Sequence, residues 1–466
     1  MGFKKRKERG KSVKYSLAAV LVIMVAVSAI WLLMVKFEGR APEIELDMSE
    51  SDSFVGADAA VSGTITDEKS GIRKLWIAVI QNDRETVLKE ESDLAGIQEG
   101  PPRQRRFEVD LNAGKLDLKD GKALLRIAAW DHSWRGWFSG NQAYLEKEIT
   151  IDTQPPRVEV ISRQHNIRPG GSGLAVYRMS EDCPEHGVMV GDHFFPGHKG
   201  YFDDPDLAVC FFALAHDQDT DTKLQVRAVD PAGNSGRGGF YYHIRNKSFD
   251  AEPLTVSDRF LSRILPEFQN EDGFPADAGA LEQFLFVNRE LRKKNNRTIL
   301  APGRSPDEQK HWQGGFSRLP NAARKASFAD HRTYVYNGEK IDEQIHMGID
   351  LASVSQAPVP AANAGKVAFV GRAGIYGNVV TIDHGFGLFS VYAHLSRSSV
   401  SDGQMVEKND IIGATGATGL AGGDHLHYGM FVHDVFVDPM EWWDAQWIQN
   451  NITGKLEHAR GLAENN

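Results

Sequence analysis

Apolar and polar positions follow three rhythms along this chain of 466 residues. Residues 15–35 form an unbroken apolar run without a charge, rich in Leu, Val, Ile, Ala and Met. About 20 residues at ~1.5 Å each cover ~30 Å, one bilayer core, so the run predicts a transmembrane helix. Trp31 lies near its far end, where interfacial aromatics collect. From 43 to 151, short stretches alternate apolar and polar residues, as in 61–66 and 75–80, with turn clusters such as 67–71 between them. That period of two predicts a β-sandwich module over 40–152. A second module over 153–250 repeats the rhythm: residues 223–230 echo the strand end at 124–131, followed by the turn Pro231-Ala232-Gly233-Asn234.

The two modules loosely resemble bacterial immunoglobulin-like domains, on strand rhythm and on the turn at 230–234 alone. Two roles are open to them: spacers that hold the C-terminal region off a membrane, or binders of a glycan or a partner protein. No site constellation occurs in them, which favours the spacer. Asp182, His186, Asp192 and His193 read as scattered, solvated loop residues.

Residues 251–314 change to a period near 3.6 and predict a helical connector. Ser257 is placed to cap a short helix bearing Leu261, Ile264, Leu265 and Phe268, and Pro266 should end or kink it. A second helix is expected over 280–294, with Asn295, Asn296 and Arg297 as its stop. Residues 300–330 are rich in Pro, Gly and Arg. They read as a linker, or as a lid over a cleft. Residues 315–445 return to short apolar strands punctuated by Gly, at 366–370, 378–382, 388–392 and 405–413, which predicts an antiparallel sheet. A mobile Gly/Ala/Thr loop is expected at 414–419, and a C-terminal tail at 446–466. The predicted fold class is therefore mainly β behind one N-terminal helix.

Charge gives the helix an orientation. Residues 1–14 carry seven Lys and Arg against one Glu, a local +6 in a chain of net −10. A basic block before an apolar span stays cytoplasmic, which predicts a single-pass anchor in the inner (cytoplasmic) membrane and export of the rest. A cleaved signal peptide is the competing reading, with Val27-Ser28-Ala29 as its small-residue site. The apolar run, however, continues to Val35, longer than a signal core. The acidic remainder argues against nucleic acid as a partner. Only two cysteines occur, Cys183 and Cys210, and neither is near the His/Asp cluster at 346–427, which excludes a Cys-based zinc site. In an exported module they could pair or stay as buried thiols.

The chemistry gathers near the C-terminus, where seven of the sixteen histidines fall between His331 and His433. His346 and Asp350 are four apart, one face of a helix or of a strand, and His425 and His427 are two apart, one face of a strand. Two His and one Asp make a three-ligand set for Zn²⁺ with room for a water. His394 and His425 are further imidazoles suited to acid/base work. An open coordination position beside titratable imidazoles is the layout of a hydrolytic site.

These motifs resemble a known family. His346-x-x-x-Asp350, Tyr392-x-His394-Leu395, His425-x-His427 and the run from Gly377 to Gly385 are similar to the LytM/lysostaphin-type zinc metallopeptidases, peptidase family M23, over about 315–445. The resemblance implies His346, Asp350 and His427 as zinc ligands and His394 and His425 as the acid/base pair. It also implies an antiparallel-β peptidase fold and the peptides of peptidoglycan as substrate. Some relatives have lost ligands and only activate other wall hydrolases, so a zinc-bound, non-hydrolytic regulator is the alternative. All five positions are present here.

Overall fold

Thirty-three residues, Lys4–Lys36, form one α-helix, and its Tyr15–Lys36 part is long and apolar enough to cross a membrane. The helix continues back through the basic block without a break. The computed structural model describes residues 4–48, 53–92 and 102–464, with backbone alone for 4–14 and 463. The start of the expected basic tail at 1–3, segments 49–52 and 93–101 of the first module, and 465–466 of the expected tail lie outside the described residues.

The chain forms two compact units: Met1–Pro155 with Asp230–Asn234, and Pro156–Val229 with Ser235–Asn466. In the first, three strands (Glu43–Leu46, Asp58–Thr66, Gln104–Asn112) make one sheet. Five strands, with Gly121–Asp131 at the centre, make a second. The alternation read from sequence is the packing: Ile65, Leu75, Ile77, Leu111, Leu125 and Ile127 are fully buried in one core, while the residues between them face outward.

In the second unit the strands of 158–238 share one continuous hydrophobic core with the C-terminal sheet. The second module expected at 153–250 therefore packs into one core with the C-terminal sheet. Buried polar groups stitch the join. Glu441 accepts hydrogen bonds from Ser172 N at 2.9 Å and Arg168 Nε at 3.1 Å. Lys455 Nζ donates to Leu174 O at 3.2 Å. Within the expected C-terminal tail, residues 446–463 are helical, with Ile448, Ile452, Leu456 and Ala459 buried. His186 is not a solvated loop residue: it lies in the strand Glu185–Val190, buried, with Nδ1 bonded to Tyr177 OH at 2.7 Å. Cys183 and Cys210 are both buried thiols.

The connector forms as two helical runs. Ser257 caps Asp258–Ile264 by accepting from Phe260 N, and the chain tightens into a 3₁₀ turn at Leu265–Phe268, where Pro266 enters. The second run does not stop at Asn295. It passes through a π turn, Val287–Leu291, into Arg292–Leu300. Asn295 and Asn296 are used instead as partners: Asn295 Oδ1 accepts from Ile375 N and Asn296 Oδ1 from Tyr376 OH, each at 2.9 Å. Tertiary bonds outweigh the weak helix propensity of Asn. Trp312, Phe316 and Leu319, from the segment expected as a linker or lid, are buried in the core.

The C-terminal sheet runs in the order Ala323–Ala326, Ile349–Ala352, Leu426–Val432, Leu388–Leu395, Asn378–Asp383, Gly365–Arg372, Met405–Val406. Its register puts Asp350 opposite His427, and His427 opposite Ala393. A smaller sheet, Ala251–Val256, His331–Tyr336 and Glu339–Ile345, stands beside it.

Candidate metal centre

Three donor atoms meet at one point. His346 Nε2 lies 3.0 Å from Asp350 Oδ1 and 3.0 Å from His427 Nδ1, and His427 Nδ1 lies 2.9 Å from Asp350 Oδ1. Donors at ~2.0–2.1 Å from a tetrahedral Zn²⁺ stand about 3.3 Å apart, so this triangle fits such an ion after a small relaxation. Strand register supplies Asp350 and His427, and His346 enters from the turn just before Ile349–Ala352. Gly348 makes the approach possible: a Cβ there would lie 2.5 Å from His427 Nε2.

The surrounding hydrogen bonds select the ligand forms. His346 Nδ1 faces Ser327 O at 2.9 Å. A carbonyl only accepts, so the proton sits on Nδ1 and the Nε2 lone pair faces the centre. Burial above all, only partly offset by Asp350, pushes His427 down to about 4, keeping the imidazole neutral as a metal ligand requires. For Asp350, burial opposes ionisation. The imidazoles of His346, His425 and His427 around it, His346 foremost, outweigh it and hold the carboxyl well below its usual range. The second oxygen of Asp350 is taken by Arg332, whose Nη2 donates to Oδ2 at 2.9 Å.

His394 and His425 stand beside this triangle, their ring centroids 4.8 Å apart. His394 Nδ1 bonds to Thr418 O and His425 Nδ1 to Gly423 O, each at 2.8 Å, so both turn Nε2 to the cleft. His394 has a left-handed backbone, φ 59°, within the strand Leu388–Leu395. Such a conformation is costly for a residue with a Cβ and is held here by the surrounding bonds. Burial, then the neighbouring imidazoles of His425 and His427, keep His394 well below the usual imidazole range. His425 goes the other way: burial opposes it, but the Asp350 carboxylate, 3.6 Å from its Nε2, raises it.

The loop expected to be mobile is fastened. Thr418 Oγ1 donates to Leu395 O and accepts from Asn378 N, both at 3.0 Å, Gly419 N donates to Glu267 at 2.7 Å, and Thr415 Oγ1 donates to Asp424 at 2.6 Å. All five sequence-nominated residues line one cleft of ≈ 420 Å³. From the segment 300–330 only Lys325 and Ala326 reach it. The opposite wall comes from the smaller sheet through Leu254, Arg332 and Tyr334, and from Phe260.

Peptidase family M23 matches residues 344–439. The chain carries a C-terminal M23 peptidase domain. It is 41% identical over 97 residues to the DD-carboxypeptidase/endopeptidase Mpg of Neisseria meningitidis serogroup B, covering 21% of this chain and 22% of that one. It is 36% identical over 96 residues to the peptidoglycan DD-endopeptidase ShyB of Vibrio cholerae, with 21% and 22% covered. The chain thus matches about a fifth of the length of these curated relatives. Among solved structures it is similar to a Pseudomonas aeruginosa M23 peptidase at TM-score 0.38 and 21% identity, covering 59% of this chain and 94% of that one. It is also similar to the lysostaphin catalytic domain of Staphylococcus simulans at TM-score 0.24 and 26% identity, with 28% and 98% covered.

Sequence reasoning missed Arg332, which precedes the M23 domain and sits on an ordinary alternating strand with nothing to single it out. The carbonyls of Ser327 and Thr418 carry no residue-type signal at all. Gly348, inside the His346-x-x-x-Asp350 motif, was open to notice.

Proposed function

We propose that this chain is a membrane-anchored, zinc-dependent endopeptidase that hydrolyses peptide bonds in peptidoglycan stems or cross-links. The observation that carries the reading is the convergence of His346 Nε2, Asp350 Oδ1 and His427 Nδ1 beside two further imidazoles. The names of the curated relatives support peptidoglycan as the substrate and DD-linkages as the first bonds to assay. The apolar Tyr15–Lys36 span behind a basic block supports a cytoplasmic N-terminus and an extracytoplasmic catalytic domain in the inner (cytoplasmic) membrane.

His346, Asp350 and His427 would hold the zinc, which when bound supplies Lewis acidity toward a water and a peptide carbonyl. The chain's own residues do the rest. His394 and His425 move protons at Nε2: one ring, its Nε2 unprotonated, accepts from the attacking water, and a protonated imidazole steadies the oxyanion and passes a proton to the leaving amine. Arg332 occupies Oδ2 of Asp350, so that Oδ1 is the oxygen Asp350 would offer to the metal. The cleft wall of Leu254, Phe260 and Tyr334 limits water around them.

Purified full-length protein incubated with peptidoglycan tests the reading. Soluble fragments should appear, stop with a chelator and resume with added zinc, and their masses name the bond. Zinc bound without any fragment release would turn the assignment toward a wall-binding regulator.

A further inference from the structure

Trp137 is 96% exposed, the most exposed large apolar side chain among the described residues, and its neighbour Phe138 is 63% exposed. They sit at the tip of a turn, Arg135–Phe138, with three successive left-handed residues: Gly136 at φ 58°, Trp137 at 56° and Phe138 at 70°. Two bulky aromatics in that region are outliers, and the fold spends them on pushing rings into solvent.

The turn is fixed to the exit of the apolar helix. Trp134 N donates to Lys36 O at 2.6 Å, and Ser133 Oγ donates to Lys36 O at 3.2 Å and Glu38 O at 3.1 Å. Asn141 Nδ2 holds the carbonyls of Glu38 and Arg40. A chain of rings leads outward from that exit, Phe37 to Trp134 at 5.7 Å and Trp134 to Phe138 at 5.9 Å. Arg73 Nη1 clamps Phe138 O at 2.7 Å, and the Arg135 guanidinium lies against Gly39. The 22 residues of Tyr15–Lys36 span ~33 Å, slightly more than a ~30 Å hydrocarbon core, so Lys36 stands at headgroup level.

We propose that the Trp137–Phe138 tip is a lipid-binding element. It seats in the outer headgroup layer of the same bilayer that the helix crosses, and so holds the first sandwich against the membrane. Trp and Phe favour that layer, and the guanidinium groups of Arg73 and Arg135 suit its phosphates. The proposal rests on the anchor reading above.

The test uses the full chain in phosphatidylethanolamine/phosphatidylglycerol vesicles containing shallow or deep spin-labelled lipids. Single NBD reporters are placed at Ser139 (Ser139→Cys), beside the intact tip; at Leu32 (Leu32→Cys), in the helix; and at Lys115 (Lys115→Cys). Lys115 lies in the connection leading to the Gly121 end of the strand Gly121–Asp131, the end remote from the tip. Cys183 and Cys210 are buried and do not compete for label. The expected result is quenching at Leu32, shallow-lipid quenching at Ser139 at least about twofold above Lys115, and loss of that excess in Trp137→Ser/Phe138→Ser. Quenching at Leu32 with Ser139 no different from Lys115 overturns the proposal and leaves the anchor standing. So does quenching at Ser139 that survives the double substitution. No quenching at Leu32 removes the anchor reading and the proposal together.

Discussion

Arg332 Nη2 binds one oxygen of Asp350 at 2.9 Å, and the other oxygen faces His346 and His427 at 3.0 and 2.9 Å. One carboxylate is thereby divided between a cation supplied by the smaller sheet and the candidate metal position in the M23 domain. Without the guanidinium, Asp350 would be free to rotate or to offer both oxygens to an ion.

Arg332→Met should therefore weaken zinc binding by about 10- to 100-fold, the usual effect of losing a partner that orients a metal ligand. Competition against a chromophoric chelator measures it. Cobalt substitution reports the coordination number, which should rise if Asp350 becomes bidentate. An unchanged zinc affinity would show that Arg332 does not orient the carboxylate.

The five site residues should separate into two classes. His346→Ala and Asp350→Ala are expected to lose both metal and activity. His394→Ala should keep zinc and lose about 10²- to 10⁴-fold in turnover, the range for removing an acid/base group. Zinc content by elemental analysis beside fragment release checks both. Retention of zinc and cleavage in His427→Ala would contradict the ligand set.

Gly348→Ala tests the close approach. The added Cβ would lie 2.5 Å from His427 Nε2 and 2.8 Å from Tyr428 O, so ring or strand must shift. Zinc affinity should drop by at least about tenfold while the thermal midpoint falls only modestly, because the strand is locally distorted and the core is untouched. A wild-type affinity would mean that His427 tolerates the displacement.

Stability should depend on pH through two buried groups at the seam of the second unit. Burial raises Glu441 to about 7, against the pull of its bonds to Ser172 and the charge of Arg168, and burial lowers Lys455 to about 7. Between its ordinary range and 7, Glu441 holds its proton more tightly in the folded chain, so stability falls as pH rises through that window. Above 7 the unfolded chain binds the Lys455 proton more tightly, so stability rises with pH toward the ordinary lysine range. Lys455→Met should flatten the rise above pH 7 and leave the fall below it. Denaturant midpoints at pH 5, 7 and 9 for both proteins decide this, and parallel curves above pH 7 would rule it out.

Much of this was legible in advance because the relevant patterns are local. The apolar run at 15–35 needs only its length and composition to declare a helix long enough to cross a membrane. The alternating strands of the first unit show their buried faces residue by residue, and Ser257 announces its helix. The elements that misread are those whose partners are distant. Asn295 and Asn296 look like a helix stop until Ile375 and Tyr376, eighty residues away, occupy their side chains. The Gly/Ala/Thr loop looks mobile until Glu267 and Asn378 tie it down.

By itself the sequence determined the residue types and spacings at the site, since His346, Asp350, His394, His425 and His427 are a chemical alphabet that few functions require in that order. It also determined the mainly β character and the apolar N-terminal run, because periodicity and composition act over neighbouring residues. Only the tertiary structure decided that three donors meet within 3.0 Å, that Arg332 completes Asp350, and that the second set of strands shares its core with the M23 domain. Those are matters of strand register, side-chain burial and contact between segments far apart in the chain, and no local pattern encodes which distant surfaces will meet.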